Sequence, residues 1–185
     1  MINPSVYMDV DGKYRGIDHN IHQAEGFTNY TVFSVWDTYR ALHPLFNIIK
    51  RDVSTDLVKS MLAHYSQSVH HLLPVWSHMG NENWCMIGYH SVSVLAGLPI
   101  DKQEAVKAMV SSSNVPYYDH TDEYKQLGYV PFDQSPTSAS ITLENAYEDW
   151  TVYHTALLLG DKQIADTYKK RALYYRNVFK PGLGF

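Results

Sequence analysis

Beyond residue 33 the apolar positions recur at helical intervals, whereas the first 20 residues alternate over short extended runs. Val6-Tyr7-Met8-Asp9-Val10, then Asp11-Gly12, then Lys13-Tyr14-Arg15, predicts a short N-terminal hairpin, with Asp-Gly supplying the positive backbone angles of a two-residue turn. Ser34 can cap a helix through Trp36, Tyr39, Leu42 and Leu45, with Pro44 expected to bend it or end its first part. A second helix is predicted over 52–68, with Leu57, Met61, Leu62 and Tyr65 on one stripe. A third is expected over 86–96 and a fourth over 101–111, the last with an acidic start that complements the helix dipole.

The clearest stripe is Leu143, Ala146, Tyr147, Trp150, His154, Leu157 and Leu158, at offsets 3, 4, 7, 11, 14 and 15, and it predicts a well-buried helix face. Gly160 stops that helix and Asp161 can cap the next, where Ile164, Tyr168, Ala172, Tyr175 and Phe179 continue the spacing. So short a break predicts an antiparallel αα-hairpin. Long loops are expected over 69–86 and 112–140, and loops of that length in a compact domain are usually functional. No repeat of fixed period emerges. The reading is an all-α chain of paired antiparallel helices. About six helices would make half of a closed helical toroid, whose full circle needs about twice this length at ~1.5 Å per residue plus ordinary loops.

The 185 residues amount to one domain, 1–185, able to bury roughly 70% of its unfolded surface. Hydrophobic residues at 45% and charged ones at 18% exclude a disordered chain. A net charge of -4 argues against a nucleic-acid partner, and the basic run Lys169-Lys170-Arg171 reads as a solvated helix face. No apolar run approaches the ~18 residues that span a bilayer. The start Met1-Ile2-Asn3-Pro4 lacks signal-peptide character, so an exported parent would carry its signal elsewhere. A single cysteine, Cys85, excludes an intramolecular disulfide, and its neighbours Trp84 and Met86 predict an apolar surrounding unsuited to a nucleophile.

Motif searches exclude the common chemistries. There is no G-x-S-x-G elbow, no Walker-type phosphate loop, no G-x-G-x-x-G and no H-E-x-x-H. His70 and His71 are adjacent and point to different faces, which argues against zinc. Asp9 and Asp11 lack the Gly and Glu spacing of a calcium loop, so a turn is the better reading. The chain's 25 aromatic residues, 15 of them Tyr, suit either a polyhydroxylated ligand or a large helical core.

Three clusters set carboxylates among aromatic rings near helix starts. They are Phe33-Ser34-Val35-Trp36-Asp37-Thr38-Tyr39-Arg40, Gly80-Asn81-Glu82-Asn83-Trp84-Cys85-Met86-Ile87-Gly88-Tyr89-His90, and Thr142-Leu143-Glu144-Asn145-Ala146-Tyr147-Glu148-Asp149-Trp150. Carboxylates that take hydroxyl hydrogen bonds, beside rings that stack on a sugar face, are saccharide-site chemistry. The plainer alternative is that Asp37 pairs with Arg40 at i, i+3 and Glu144 serves a first-turn dipole.

With Tyr30 to Leu45, Gly128-Tyr129-Val130-Pro131, Asp9 to Tyr14 and Arg176-Asn177-Val178-Phe179, these clusters resemble the catalytic domain of glycoside hydrolase family 92, in one order along nearly the whole chain. That family comprises calcium-dependent, exo-acting α-mannosidases that invert anomeric configuration. The resemblance implies a segment of an (α/α)6 barrel. It also implies that Asp37 holds hydroxyls of a terminal mannose, with Trp36 and Arg40 shaping the pocket and Glu82, His90, Glu144 and Asp149 as further substrate-binding candidates. The family's acid and base belong to motifs further towards the C-terminus, so no catalytic residue and no calcium ligand is assigned here.

Asn145 and Glu148 depart from the family's Tyr and Asp, and the connection 95–102 is shorter than the family's. The implied activity is hydrolysis of terminal α-mannose, of the α-1,2 type, from a mannose-containing glycan, in a family typically exported to the periplasm or cell surface. Two alternatives are an inactive mannose-binding remnant and a helical interaction protein that docks other domains or a second copy.

Overall fold

The computed structural model describes residues 3–98 and 101–183, and the chain divides into two compact units, one ending at Ser112 and the other starting at Ser113. In the first unit β1 (Ser5–Val6) pairs antiparallel with β4 (Tyr30–Thr31), and β2 (Lys13–Arg15) with β3 (Ile21–Gln23). The predicted Asp-Gly turn forms, with Gly12 at φ +81° and its N–H donated to Asp9, and Asp11 accepts both the backbone N–H and the ammonium of Lys13. The ladder itself lies one element later. Asp9 N–H donates to the Lys13 carbonyl at 2.8 Å and closes the predicted turn, but the pairing stops there, because β2 finds its ladder partner in β3.

The helix expected from Ser34 breaks into α1 (Val35–Thr38) and α2 (Leu42–Ile49), and Ser34 caps through backbone only. Pro44 falls in the first turn of α2, where its missing N–H would have had no intrahelical partner, so the break precedes it instead of following from it. Helix α3 (Arg51–Gln67) buries Ser54, Leu57, Val58, Met61 and His64 on one face. Leu57 and Met61 of the predicted stripe lie on this face, whereas Leu62 and Tyr65 are only partly covered, and the helix packs against α2 and β4.

Residues 69–86, expected as loop, contain a small hairpin of β5 (Ser77–His78) and β6 (Asn81–Glu82). The third helix is shorter than expected: α4 covers only Ser91–Ala96, because Met86 and Gly88 take left-handed backbone angles that no helix accommodates. Helix α5 (Lys102–Ser112) closes the unit, its Ser112 hydroxyl accepting the Leu73 N–H at 2.9 Å. Part of the shortened 95–102 connection, Pro99 and Ile100, lies outside the described residues.

The second unit opens with α6 (Thr121–Leu127) inside the stretch expected as loop. It is followed by α7 (Ser138–Leu159) and α8 (Lys162–Arg171), the predicted antiparallel pair. Gly160 ends α7 at φ +77°, and the Asp161 carboxylate accepts the Ile164 N–H at 3.0 Å as an N-cap. The expected continuation through Tyr175 and Phe179 is a 3-10 turn over Tyr174–Val178, with both rings exposed. Gly128 caps α6 in the left-handed region, and its carbonyl accepts from Asn177 Nδ2 at 2.8 Å.

The main correction concerns α7. Its apolar stripe is exposed except for Ala146, with Leu143, Tyr147, Trp150 and Leu157 each about half accessible and Leu158 73% accessible. The buried face is mixed: Ile141, Val152 and Ala156 lie with Thr142, Asn145, Glu148 and Asp149. Periodicity located the stripe correctly but not the side that the fold covers, because the buried acid Asp149 is matched by Arg171, 22 positions later. None of these helices is long and apolar enough to cross a membrane.

Candidate functional site

Helix α1 is a single turn that projects Asp37 and Arg40 from a buried footing of Phe33, Ser34 and Val35. Asp37 is exposed, and among the described residues its carboxylate takes no hydrogen bond or ion pair. The i, i+3 pairing with Arg40 does not form. Arg40 turns instead onto the rings, its guanidinium carbon 4.9 Å from the Trp36 ring centre and 4.7 Å from that of Tyr39, while its Nε donates to the Trp36 carbonyl at 3.0 Å. Such cation–π contacts help to hold a flexible side chain in one place. Trp36 is half-buried, and its enclosed indole N–H has no partner among the described residues.

Tyr39 is the hinge of this group. The His90 ring also packs on it, stacked at 4.2 Å and 5°. His90 is buried at the start of α4, so it lies under the aromatic layer and not on its surface. Trp36, Asp37, Arg40, Tyr39 and His90 are neighbours in the first unit, where Asp37 and Arg40 supply exposed charges of opposite sign.

Glu82 belongs to the same unit but has a different setting. Its carboxylate accepts backbone N–H groups from Val75, Trp76 and Trp84. Behind it His64 is buried, its Nδ1–H donated to the Leu72 carbonyl at 2.9 Å and its Nε2 3.8 Å from Glu82 Oε2. Burial holds His64 below the ordinary imidazole pKa, against the opposing pull of Glu82. His64 was not singled out from the sequence, although its position three after Met61 on the buried stripe of α3 was a usable signal.

Glu144 and Asp149 lie on α7 of the second unit. Glu144 is half-buried in the second turn, beyond the reach of a first-turn dipole role. Asp149 is fully buried, and its Oδ2 accepts from Arg171 Nε at 2.9 Å and Tyr124 OH at 2.8 Å. Burial, with the Asp149 charge beside it, raises the Tyr124 phenol well above its usual pKa. The Arg171 guanidinium is also placed 4.7 Å from the Tyr168 ring centre, and its Nη2 donates to the Ser113 carbonyl.

Cys85 is exposed, not enclosed by apolar neighbours as its sequence setting predicts. Among the described residues no three His, Cys, Asp or Glu side chains gather into a group able to hold a metal ion. The described residues thus gather no carboxylate group that would hold calcium by itself.

A family model described as the glycosyl hydrolase family 92 catalytic domain matches residues 1–185. Among solved structures, the family GH92 α-mannosidase BT3965 from Bacteroides thetaiotaomicron, in complex with mannoimidazole, is 48% identical over 97% of this chain and 24% of that one, with a TM-score of 0.92. The family GH92 inverting mannosidase BT2199 from Bacteroides thetaiotaomicron is 32% identical over 98% of this chain and 26% of that one, with a TM-score of 0.87. A third, the GH92 family glycosyl hydrolase ccman5, is 21% identical with a TM-score of 0.66, a likeness of fold. No curated protein matches the chain. The chain spans about a quarter of the length of these solved relatives.

Proposed function

The chain belongs to the glycoside hydrolase family 92 catalytic domains, and from that premise we propose that it supplies the terminal-mannose pocket of a longer inverting α-mannosidase. The observation that carries this reading is Asp37. It is an exposed carboxylate with no partner among the described residues, next in sequence to a Trp36 on which Arg40 packs. A carboxylate held against aromatic faces accepts two vicinal hydroxyls while a ring packs on the apolar face of the sugar. The unpartnered Trp36 N–H adds a donor of the kind a sugar oxygen satisfies.

The reaction of the whole protein is hydrolysis of terminal α-mannose, of the α-1,2 type, from glycans. An inverting enzyme places a general acid at the leaving oxygen and a general base behind an attacking water, the two carboxyls roughly 6.5–9.5 Å apart. Glu82 and Asp149 are each engaged by backbone amides or by Arg171, which disfavours them for either role. We assign the acid, the base and the calcium ligands to the remainder of the longer protein, and we read both compact units as parts of one catalytic domain.

The test is direct. The 185-residue chain is titrated with methyl α-mannoside, following tryptophan fluorescence, and assayed for mannose release from α-1,2-mannobiose with added calcium and with chelator. Saturable binding without release is the expected result. Calcium-dependent release would place a complete acid and base within these residues and overturn the assignment.

A further inference from the structure

Glu82 turns both carboxylate oxygens onto the backbone. Oε1 accepts from Trp76 N–H at 2.8 Å and Trp84 N–H at 3.1 Å, and Oε2 accepts from Val75 N–H at 2.9 Å. One side chain thus ties the strand entering the β5–β6 hairpin to the segment leaving it. A hairpin of two-residue strands has little stability of its own, so this tie matters to its shape.

The segment that leaves is unusual. Trp84, Met86 and Gly88 take φ of +54°, +67° and +79°. Side chains other than glycine resist that region, and such a path persists where neighbours over-determine it. Glu82 anchors its start on residues 75 and 76. Its far end is anchored on the same stretch, because the Ser91 hydroxyl donates to the Pro74 carbonyl. Between these anchors the segment delivers His90, whose ring stacks on Tyr39, and Tyr39 in turn supports Arg40 against Trp36.

We propose that Glu82 is a positioning residue for the sugar pocket: its carboxylate sets the path of residues 84–88, and through the His90–Tyr39 stack the placement of Arg40 and Trp36, without touching the sugar itself. This rests on the mannose-binding reading of the Asp37 cluster. His64 completes the arrangement from behind, with Nε2 facing Glu82 Oε2 and no hydrogen-bond donor of its own on that side while neutral.

The geometry predicts a graded response. In Glu82→Gln the amide oxygen can keep both Trp76 and Trp84 and the amide N–H can donate to His64 Nε2, while the Val75 N–H alone loses its acceptor. In Glu82→Ala all three backbone amides lose their acceptor. The experiment compares both variants with the unaltered 185-residue chain by hydrogen exchange over residues 75–88 and by titration with methyl α-mannoside.

Glu82→Ala is expected to lose at least about tenfold in exchange protection at Trp76 and Trp84 and at least about tenfold in mannoside affinity, with unfolding still cooperative. Glu82→Gln is expected to stay within about threefold on both. Unchanged protection in Glu82→Ala overturns the proposal, and so does lost protection with unchanged affinity. If the unaltered chain binds no mannoside, the sugar reading fails by itself, and the exchange result alone upholds or overturns the clamp. If Glu82→Ala does not fold, Glu82→Asp, which withdraws the carboxylate by one methylene, is read by the same two measurements.

Discussion

Asp149 and Arg171 form a buried ion pair, with Oδ2 2.9 Å from Nε and both side chains almost wholly out of solvent. Taking two charges out of water is costly, so such a pair contributes modestly as a pair but strongly penalises loss of one member. Arg171→Leu removes the guanidinium from Asp149 while the Tyr124 hydroxyl still donates to it. It should cost about 3–5 kcal/mol in urea unfolding. The double change Asp149→Leu with Arg171→Leu should recover a large part of that loss. An Asp149→Asn chain of normal stability that had lost only sugar affinity would instead place Asp149 in the pocket.

Asp37 presents the opposite case. Its carboxylate is exposed and unengaged, so the fold has little stake in it. Asp37→Asn should leave the thermal midpoint nearly unchanged, because surface substitutions away from any packed feature stay within about 0.5 kcal/mol. Mannoside affinity should fall about 10- to 100-fold, the span expected for losing charge-assisted hydrogen bonds to hydroxyls. Calorimetric titration with methyl α-mannoside measures this, and equal affinity in the variant would remove Asp37 from the site.

How much of this was readable from the chain depends on the range of the interaction. Helix α3 was legible because Leu57 and Met61 announce a buried face within four positions, and the α7–α8 turn because Gly160 and Asp161 are local stop and start signals. The Asp-Gly turn was legible too, closed by Asp9 N–H on the Lys13 carbonyl, but the strand ladder was not, because β2 continues with β3 and not with residues 6–8. The motif Trp36-Asp37-Thr38-Tyr39-Arg40 marked the cluster, yet the rotation of Arg40 away from Asp37 onto two rings depends on ring placement that no spacing encodes. The setting of Glu82 depends on Val75 and Trp76 and on His64, a residue 18 positions away, and the burial of Asp149 depends on Arg171. Polar groups in local patterns look alike whether they face a ligand or the backbone.

His43 supplies a pH dependence. It is buried in α2 with Nε2 3.1 Å from the Thr38 hydroxyl, and burial lowers its pKa from 6.5 to about 4. In the unfolded chain it takes up a proton near 6.5, whereas in the folded chain it stays neutral down to about 4. The unfolded state therefore binds more protons within this window, and the contribution to stability, complete above pH 6.5, is lost as pH falls towards 4. The full effect is on the order of 3 kcal/mol. His64 shifts in the same direction. Urea unfolding at pH 7 and pH 4.5 should show a smaller pH difference for His43→Gln than for the unaltered chain, and an equal difference would remove His43 as the cause.

The exposed stripe of α7 governs how the chain behaves at concentration. Leu143, Tyr147 and Trp150, with Ala172 and Tyr175, line a groove of about 290 Å³, and Leu157 and Leu158 extend the apolar face along the helix. Contiguous apolar surface of this kind drives association in water unless something covers it. Light scattering should show mass rising with concentration over tens of micromolar, unaffected by mannoside, because association through apolar surface needs no sugar. Trp150→Glu with Leu158→Glu places two charges on the stripe without altering its buried side. That double variant should move the onset of association upward by about tenfold. A chain that stays monomeric at every concentration would show that the stripe is too broken by His154 and Tyr153 to act as one surface.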